Sequence, residues 1–274
     1  MAGKTAAAEG QALKAPAFAY AKPASLQEAF ELLARPNAKV LAGGQSLIPS
    51  LNMRLSSPEL LVDIGALKEL LGISIQGNSI RIGALTTHAQ LERSAEVKKC
   101  VPLLAQAVPH VAHAAIRNRG TLGGSLVLAD PAAEYPACAV ALESVFVIKN
   151  KTTERRVKAE QFFKGLFETD LKQDELLIAA EFPIAKPSDR SVFLELARRQ
   201  GDYAIVGLAA HNRKIVFFGV DSVPFVINGF SEKEKAKNYL EKNLNPSSDL
   251  YHSSAAKRHL AGVLLERAWN RLST

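Results

Sequence analysis

Cysteine is scarce in this chain of 274 residues, which contains only Cys100 and Cys138. Two cysteines so far apart exclude a disulfide framework and a metal site built from several thiolates, so no metal ligands are predicted. Iron–sulfur clusters generally take four cysteine ligands, so the chain cannot hold such a cluster on its own. Both cysteines lie among apolar residues and are interpreted as small buried hydrophobes.

Long apolar runs and concentrated charge are also missing. No stretch is apolar over the length that a bilayer requires, so no membrane span is predicted. The net charge of +7 suggests an anionic ligand or an acidic partner surface. The basic residues are scattered and are not interleaved with aromatic residues, so no nucleic-acid partner is expected. Residues 1–13 lack a continuous apolar core, which predicts a disordered tail and a cytoplasmic protein.

The chain does contain two glycine turns, and the first one follows a short apolar strand. It has neither the lysine of a Walker A motif nor the third glycine of a Rossmann fingerprint. Its backbone N–H groups still suit a phosphate, because glycines leave no side chains in the way. A tight strand-to-helix turn is the alternative, and this motif alone leaves both open. The candidate ligand-binding residues are Val40, Leu41, Ala42, Gly43, Gly44, Gln45, Ser46 and Leu47.

The second glycine turn spans residues 119–125 and carries hydroxyl groups at Thr121 and Ser125, beside Gly124. Two such turns suit a dinucleotide better than a single phosphate. Asp130 and Glu134 follow and are candidates for accepting hydrogen bonds from ribose or ribityl hydroxyls. The alternative for Asp130 is that it caps a helix beginning near Pro131.

Hydrophobic periodicity divides the chain into three parts. In the first part, a helix over 26–33 capped by Ser25, with Glu28 at the capping-box position, lies between apolar strands over 39–42 and 60–64. The second part is predicted to contain a hairpin around Gly77, helices over 88–93, 101–115 and 137–142, and strands over 144–148, 155–157 and 176–182. After a linker over 185–190, three strands and two helices predict a separate α+β lobe.

Several motifs in the same order resemble one family. Besides both turns and the Asp130–Glu134 segment, residues 198–206 and 257–264 are similar to the FAD-binding medium subunit of molybdenum hydroxylases, the carbon monoxide dehydrogenase and xanthine dehydrogenase group. The resemblance extends from about Ala15 through nearly the whole chain. It implies an α+β, three-lobed FAD-binding fold of the vanillyl-alcohol-oxidase (PCMH) type. The implied domains are residues 14–188, with lobes of about 14–65 and 66–188, and a C-terminal domain over 189–274 with an antiparallel sheet and helices.

The resemblance also implies a cofactor site. The first turn would hold the FAD pyrophosphate, with Thr121, Gly124 and Ser125 opposite it and Glu134 as a ligand-contacting acid. Tyr203 would lie near the isoalloxazine, and Leu177 or Ile178 would pack against its edge. The alternative for Tyr203 is an ordinary half-buried strand aromatic. Many relatives have histidine at the position of Leu128, so any polar role there is lost. No catalytic acid or base is expected.

The function that the resemblance implies is electron transfer. FAD would take electrons from iron–sulfur clusters of a small [2Fe-2S] subunit, while a large molybdopterin subunit oxidises the substrate, in a dimer of heterotrimers. The substrate and the external acceptor stay open. Two alternatives are a stand-alone flavin oxidoreductase of the same fold, with Tyr203 or His259 as its proton donor, and a non-enzymatic nucleotide-binding scaffold.

Overall fold

The computed structural model describes residues 15–273, so the predicted tail over 1–13 lies outside the described residues. The first part of the chain forms a parallel sheet in the order β1-β3-β2, flanked by two helices. The predicted strands and helix are confirmed, whereas β1 was not predicted. The elements are β1 (Ala19–Ala21), α1 (Leu26–Leu33), β2 (Ala38–Leu41), α2 (Leu47–Asn52) and β3 (Leu60–Asp63).

The N-terminus of α1 shows how local sequence fixes an element. The Ser25 hydroxyl accepts a hydrogen bond from the Glu28 N–H at 3.2 Å, as predicted. The Glu28 carboxylate accepts from the N–H of Ala24 at 2.7 Å, one residue before the cap itself. Both bonds satisfy N–H groups at or just before the first turn of the helix.

The middle part is built on an antiparallel five-stranded sheet and a small two-stranded ribbon. The hairpin around Gly77 is confirmed, and Gly77 has a φ of 58°. The strands are β4 (Ile73–Gln76), β5 (Ser79–Gly83), β6 (Val145–Lys149), β7 (Glu154–Lys158), β8 (Phe163–Gly165), β9 (Glu168–Thr169) and β10 (Leu176–Pro183). The large sheet has the order β4-β5-β10-β6-β7, and β8 pairs with β9.

Within residues 15–273, the middle part also contains seven short helices. They are α3 (His88–Arg93), α4 (Ala95–Cys100), α5 (Pro102–Ala107), α6 (Ala114–Arg117), α7 (Leu122–Leu128), α8 (Glu134–Ala141) and α9 (Ala159–Phe162). The continuous helix predicted over 101–115 is wrong, because a 3-10 turn over Val108–His110 separates α5 from α6. Pro109 lacks the N–H that a longer helix would need, and Ala112 is left-handed at a φ of 46°. None of the helices in the described chain combines the length and apolarity of a membrane span.

The last part forms an antiparallel sheet in the order β11-β12-β13-β14, one strand more than predicted. Its elements are β11 (Ser191–Leu196), β12 (Val206–His211), β13 (Lys214–Phe218), β14 (Phe225–Ile227), α10 (Lys233–Asn243) and α11 (Ser254–Ser273).

The two faces of this sheet belong to different cores. Phe217 packs in the cluster that contains residues of α10 and α11, whereas Val216 and Phe218 pack in the large cluster of the middle part. Alternate side chains of a strand point to opposite faces, so one strand contributes to both cores. The domain boundary at residues 188 and 189 stays a prediction.

Candidate cofactor-binding site

A cleft of about 550 Å³ lies between the two glycine turns. It is lined by residues of all three parts of the chain, including the 201–203 segment before β12. Two of the candidate residues, Leu41 and Ile178, do not line it. The candidates that do are Val40, Ala42, Gly43, Gly44, Gln45, Ser46, Leu47, Thr121, Gly124, Ser125, Asp130, Glu134, Leu177 and Tyr203.

The first turn presents a row of free backbone donors to the cleft. The Ile48 N–H donates to the carbonyl oxygen of Gly44 at 3.0 Å, and the Gln45 side chain donates to that of Gly43 at 3.0 Å. Within residues 15–273, the four N–H groups of residues 44–47 have no hydrogen-bond acceptor. Successive amide groups of this kind form an anion-binding concavity, so the first turn can hold a phosphate.

The second turn differs, because its amides are already used by the protein. The N–H of Gly123 donates to Ala84 O at 2.8 Å, and that of Gly124 donates to the Thr121 hydroxyl at 3.1 Å. The N–H of Ser125 donates to Thr121 O at 3.1 Å. The second turn therefore offers the Ser125 hydroxyl and a close backbone surface to a ligand, rather than a row of donors.

Gly43 and Gly44 allow the first turn to take its shape. A Cβ on Gly43 would lie 2.1 Å from the carbonyl oxygen of Arg119, so the two turns touch backbone to backbone. Gly44 has a φ of +73°, a conformation that L side chains rarely adopt. The first turn is thus a tight strand-to-helix turn and also has free backbone donors, so the two interpretations of this motif are compatible.

Two carboxyl groups lie at the cleft, and neither one is the helix cap that the sequence suggested. Helix α8 begins at Glu134 and not near Pro131, and the Asp130 carboxylate instead accepts from the Ala132 N–H at 2.9 Å in a local turn. Burial raises the pKa of Asp130. Burial, with a contribution from Asp130, raises the pKa of Glu134 to about 7. Near neutral pH, Glu134 therefore exchanges between a donor and an acceptor state.

A third acid, Glu195, was not singled out from the sequence; it does not line the cleft, but its charge interacts with that of Glu134. Its side chain is only 2% exposed, its Oε2 has no hydrogen-bond partner among residues 15–273, and His110 Nδ1 lies 3.9 Å from it. Burial, together with the charge of Glu134, raises the pKa of Glu195 to about 8. The sequence does not reveal that Glu195 is buried, because a glutamate exposed on a strand would have the same sequence pattern around it. Its burial is visible only from the packing of β11 beside α5.

Aromatic and aliphatic side chains complete the cleft. Tyr203 is 75% exposed and lies outside the strands, so it is not a half-buried strand residue. Phe167, 55% exposed and at a φ of 54° in the turn between β8 and β9, also lines the cleft but was not predicted to. Leu177 lines the cleft, whereas Ile178 lies at an irregularity of β10 and packs in the core of the first part.

Comparison with known proteins identifies the cofactor that this family of chains binds. Residues 16–185 match the family model described as the FAD binding domain in molybdopterin dehydrogenase. The chain belongs to this family. It is an FAD-binding medium subunit of a dehydrogenase of the molybdenum-hydroxylase type, and thus an oxidoreductase component.

Individual relatives of this FAD-binding subunit are similar over most of their length. The glyceraldehyde dehydrogenase medium chain of Sulfolobus acidocaldarius is 34% identical over 94% of this chain and 99% of its own. Carbon monoxide dehydrogenase from Hydrogenophaga pseudoflava has a TM-score of 0.90 and 32% identity, over 94% of this chain and 98% of the other. Quinoline 2-oxidoreductase from Pseudomonas putida 86 has a TM-score of 0.87 and 37% identity, over 95% of this chain and 98% of the other. These likenesses confirm the predicted FAD-binding fold.

Proposed function

We propose that FAD lies in the cleft with its pyrophosphate on the free amides of residues 44–47. This row of donors is the observation that supports the placement most strongly, because its uncharged backbone N–H groups can donate several hydrogen bonds to an anion. Ser125 faces the pyrophosphate from the second turn. Glu134 and Asp130 accept from hydroxyl groups of the cofactor, and Leu177 and Tyr203 contact the flavin. The residues present therefore fit the cofactor of the family.

The proposed role of the subunit is electron transfer. FAD supplies the ability to take up electrons singly and to release them in pairs. The two cysteines of this chain are both buried and free, so the iron–sulfur clusters that deliver the electrons belong to another subunit. The partners are a large molybdopterin subunit and a small [2Fe-2S] subunit, in a dimer of heterotrimers in the cytoplasm. The solved relative from Hydrogenophaga pseudoflava is described as a carbon monoxide dehydrogenase that lacks the Mo-pyranopterin moiety of its molybdenum cofactor, and an enzyme that normally carries this cofactor supports the proposed assembly.

The alternative of a stand-alone flavin oxidoreductase receives less support. Tyr203 is exposed at the cleft, but His259, the other donor considered, does not line it. The likeness to medium chains, over nearly their whole length, favours a subunit of a larger enzyme. Family membership among dehydrogenases also argues against a non-enzymatic scaffold.

The test uses the complex purified through a tag on this chain from cells that produce its natural partners. We expect FAD, iron and molybdenum in constant proportion. After removal of FAD, the iron–sulfur clusters of the complex are reduced with dithionite and mixed with a cell extract that contains the natural electron acceptor. The clusters should no longer be reoxidised, and added FAD should restore their reoxidation. A chain that purifies with FAD but without molybdenum and iron, and that catalyses substrate oxidation alone, would disprove the proposed role.

A further inference from the structure

His88 lies beneath the second glycine turn and belongs to neither of the motifs that define the site. It is the first residue of α3, it is 5% exposed, and it lines the cleft. Its backbone N–H donates to the carbonyl oxygen of Gly120 at 3.0 Å. A Cβ on Gly120 would lie 2.6 Å from the His88 Nε2, so the imidazole occupies the space that a side chain there would fill.

One ring nitrogen of His88 lies within hydrogen-bond distance of Tyr135. The Tyr135 hydroxyl and the His88 Nδ1 are 3.1 Å apart, and Tyr135 is completely buried. Burial raises the pKa of Tyr135 well above its ordinary value, so the phenol keeps its proton. No other side chain or backbone group among the described residues accepts that proton. The phenol therefore donates to Nδ1, since a buried donor without an acceptor is costly.

The proton of His88 is consequently placed on the other nitrogen. Burial, with a contribution from the positive charge of Arg117, lowers the pKa of His88 to about 4, so the ring is neutral near neutral pH. A neutral imidazole carries one proton, and a Nδ1 that accepts from Tyr135 leaves it on Nε2. Nε2 has no hydrogen-bond partner among residues 15–273.

We propose that His88 is a binding residue for FAD, whose Nε2–H donates to an acceptor atom of the cofactor, with Tyr135 fixing that tautomer. The inference rests on the proposed placement of FAD in the cleft. It assigns a donor to the side of the site where the amides of the second turn are already paired. The acceptor is an oxygen or nitrogen of the cofactor, in its pyrophosphate or in its ring.

Two variants of the full-length chain test the proposal by titration of the FAD-free protein with FAD, followed by flavin fluorescence. His88→Phe removes the donor and should weaken binding about ten-fold, the equivalent of one neutral hydrogen bond. His88→Gln keeps an N–H near the Nε2 position and should bind within about three-fold of the original chain. Thermal unfolding of each FAD-free variant shows whether the fold is retained.

The tautomer itself gives a second, independent measurement. Nitrogen-15 NMR of the histidine-labelled, FAD-free chain should show the proton of His88 on Nε2, and Tyr135→Phe should produce a mixture of both tautomers. A proton on Nδ1 in the original chain, or unchanged FAD affinity in a folded His88→Phe variant, would overturn the proposal. If His88→Phe does not fold, the tautomer measurement decides.

Two fragments of the cofactor locate the acceptor. Weaker binding of ADP to His88→Phe would place it in the pyrophosphate, and weaker binding of riboflavin alone would place it in the ring. If the original chain binds no FAD, the proposed function fails. If it binds FAD and His88→Phe binds equally well, only the inference about His88 fails.

Discussion

Gly43 and Arg119 meet where the two glycine turns touch, and the Arg119 carbonyl oxygen lies 2.1 Å from the position that a Gly43 Cβ would take. Since the neighbouring atom belongs to the backbone, it cannot rotate away as the end of a flexible side chain would. The separation of the two turns, and with it the width of the cleft, therefore depends on the absence of a single methyl group.

Gly43→Ala should push the turns apart and weaken FAD binding at least ten-fold, by displacing the amides of residues 44–47 from the pyrophosphate. Fluorescence titration with FAD measures the effect. Gly262→Ala is the matched control, because a Cβ at this position in α11 meets none of the described residues within 4 Å. It should leave FAD affinity unchanged and stabilise the helix by up to about 1 kcal/mol. Equal FAD affinity in both variants would contradict this account of the contact.

Thr121→Val should lower the free energy of unfolding by about 1 kcal/mol, because it removes the hydroxyl that caps α7. This hydroxyl accepts a hydrogen bond from the Gly124 N–H at 3.1 Å. Thr121→Ser keeps the hydroxyl and should retain most of the stability. Urea unfolding of the FAD-free chain compares the two. A Val variant as stable as the Ser variant would show that the cap contributes little.

Glu195 should make the stability of the FAD-free chain depend on pH. Its pKa rises from an ordinary 4.5 to about 8 in the fold, so between these values the folded state holds a proton that the unfolded state has lost. The free energy of unfolding should therefore fall as the pH rises from about 5 to about 8, by at most about 1.4 kcal/mol per pH unit from this group. Glu134 acts in the same direction up to about pH 7.

Glu195→Gln removes the titration but keeps the shape of the side chain, so the slope between about pH 5 and about pH 8 should become shallower. Urea unfolding at several pH values measures it. The exposed Glu241 supplies the control, since Glu241→Gln should leave the slope as it is. An unchanged slope in Glu195→Gln would mean that Glu195 stays charged in the fold.

Arg155, on strand β7 of the five-stranded sheet, pairs with two acidic residues, Glu175 and Asp170. Its Nε and Nη2 each lie 2.7 Å from an oxygen of Glu175, which is 3% exposed, and it also pairs with Asp170. Arg155→Met leaves the Glu175 carboxylate buried without its partner, and should cost on the order of 2–3 kcal/mol, since Arg155 itself is partly exposed. Chemical denaturation should show this loss, while Lys151→Met, which breaks an exposed pair with Glu31, should have no measurable effect.

The elements that the sequence predicted best are those with local signals. The cap of Ser25 on α1 and the hairpin at Gly77 each depend on residues within a few positions, and both are present. The long helix over 101–115 was wrong because apolar periodicity continues through Pro109, although the backbone does not. Helix α8 starts three residues later than Pro131, because the Asp130 carboxylate closes a turn of its own.

The sequence predicted the glycine turns and the acidic residues of the cleft, but not the residues that distant segments of the chain contribute to it. Phe167 reaches the cleft only because β8 and β9 form a ribbon, and Glu195 is buried only because α5 packs on β11. Neither fact has a signature in the chain near these residues. Leu41 and Ile178 have the expected apolar character, but the direction of a side chain on a strand depends on register, which for Ile178 shifts at an irregularity of β10.

The sequence by itself predicted two glycine turns that suit a ligand with phosphate groups, since glycines leave no side chains between backbone amides and an anion. It also determined that this chain cannot hold an iron–sulfur cluster alone, through its two cysteines. Only the tertiary structure decided that the first turn has free amides and the second does not. The amides of Leu122 and Gly123 donate to Thr86 and Ala84, a long-range pairing that exists only in the folded chain, whereas those of Gly124 and Ser125 donate to Thr121 within the turn.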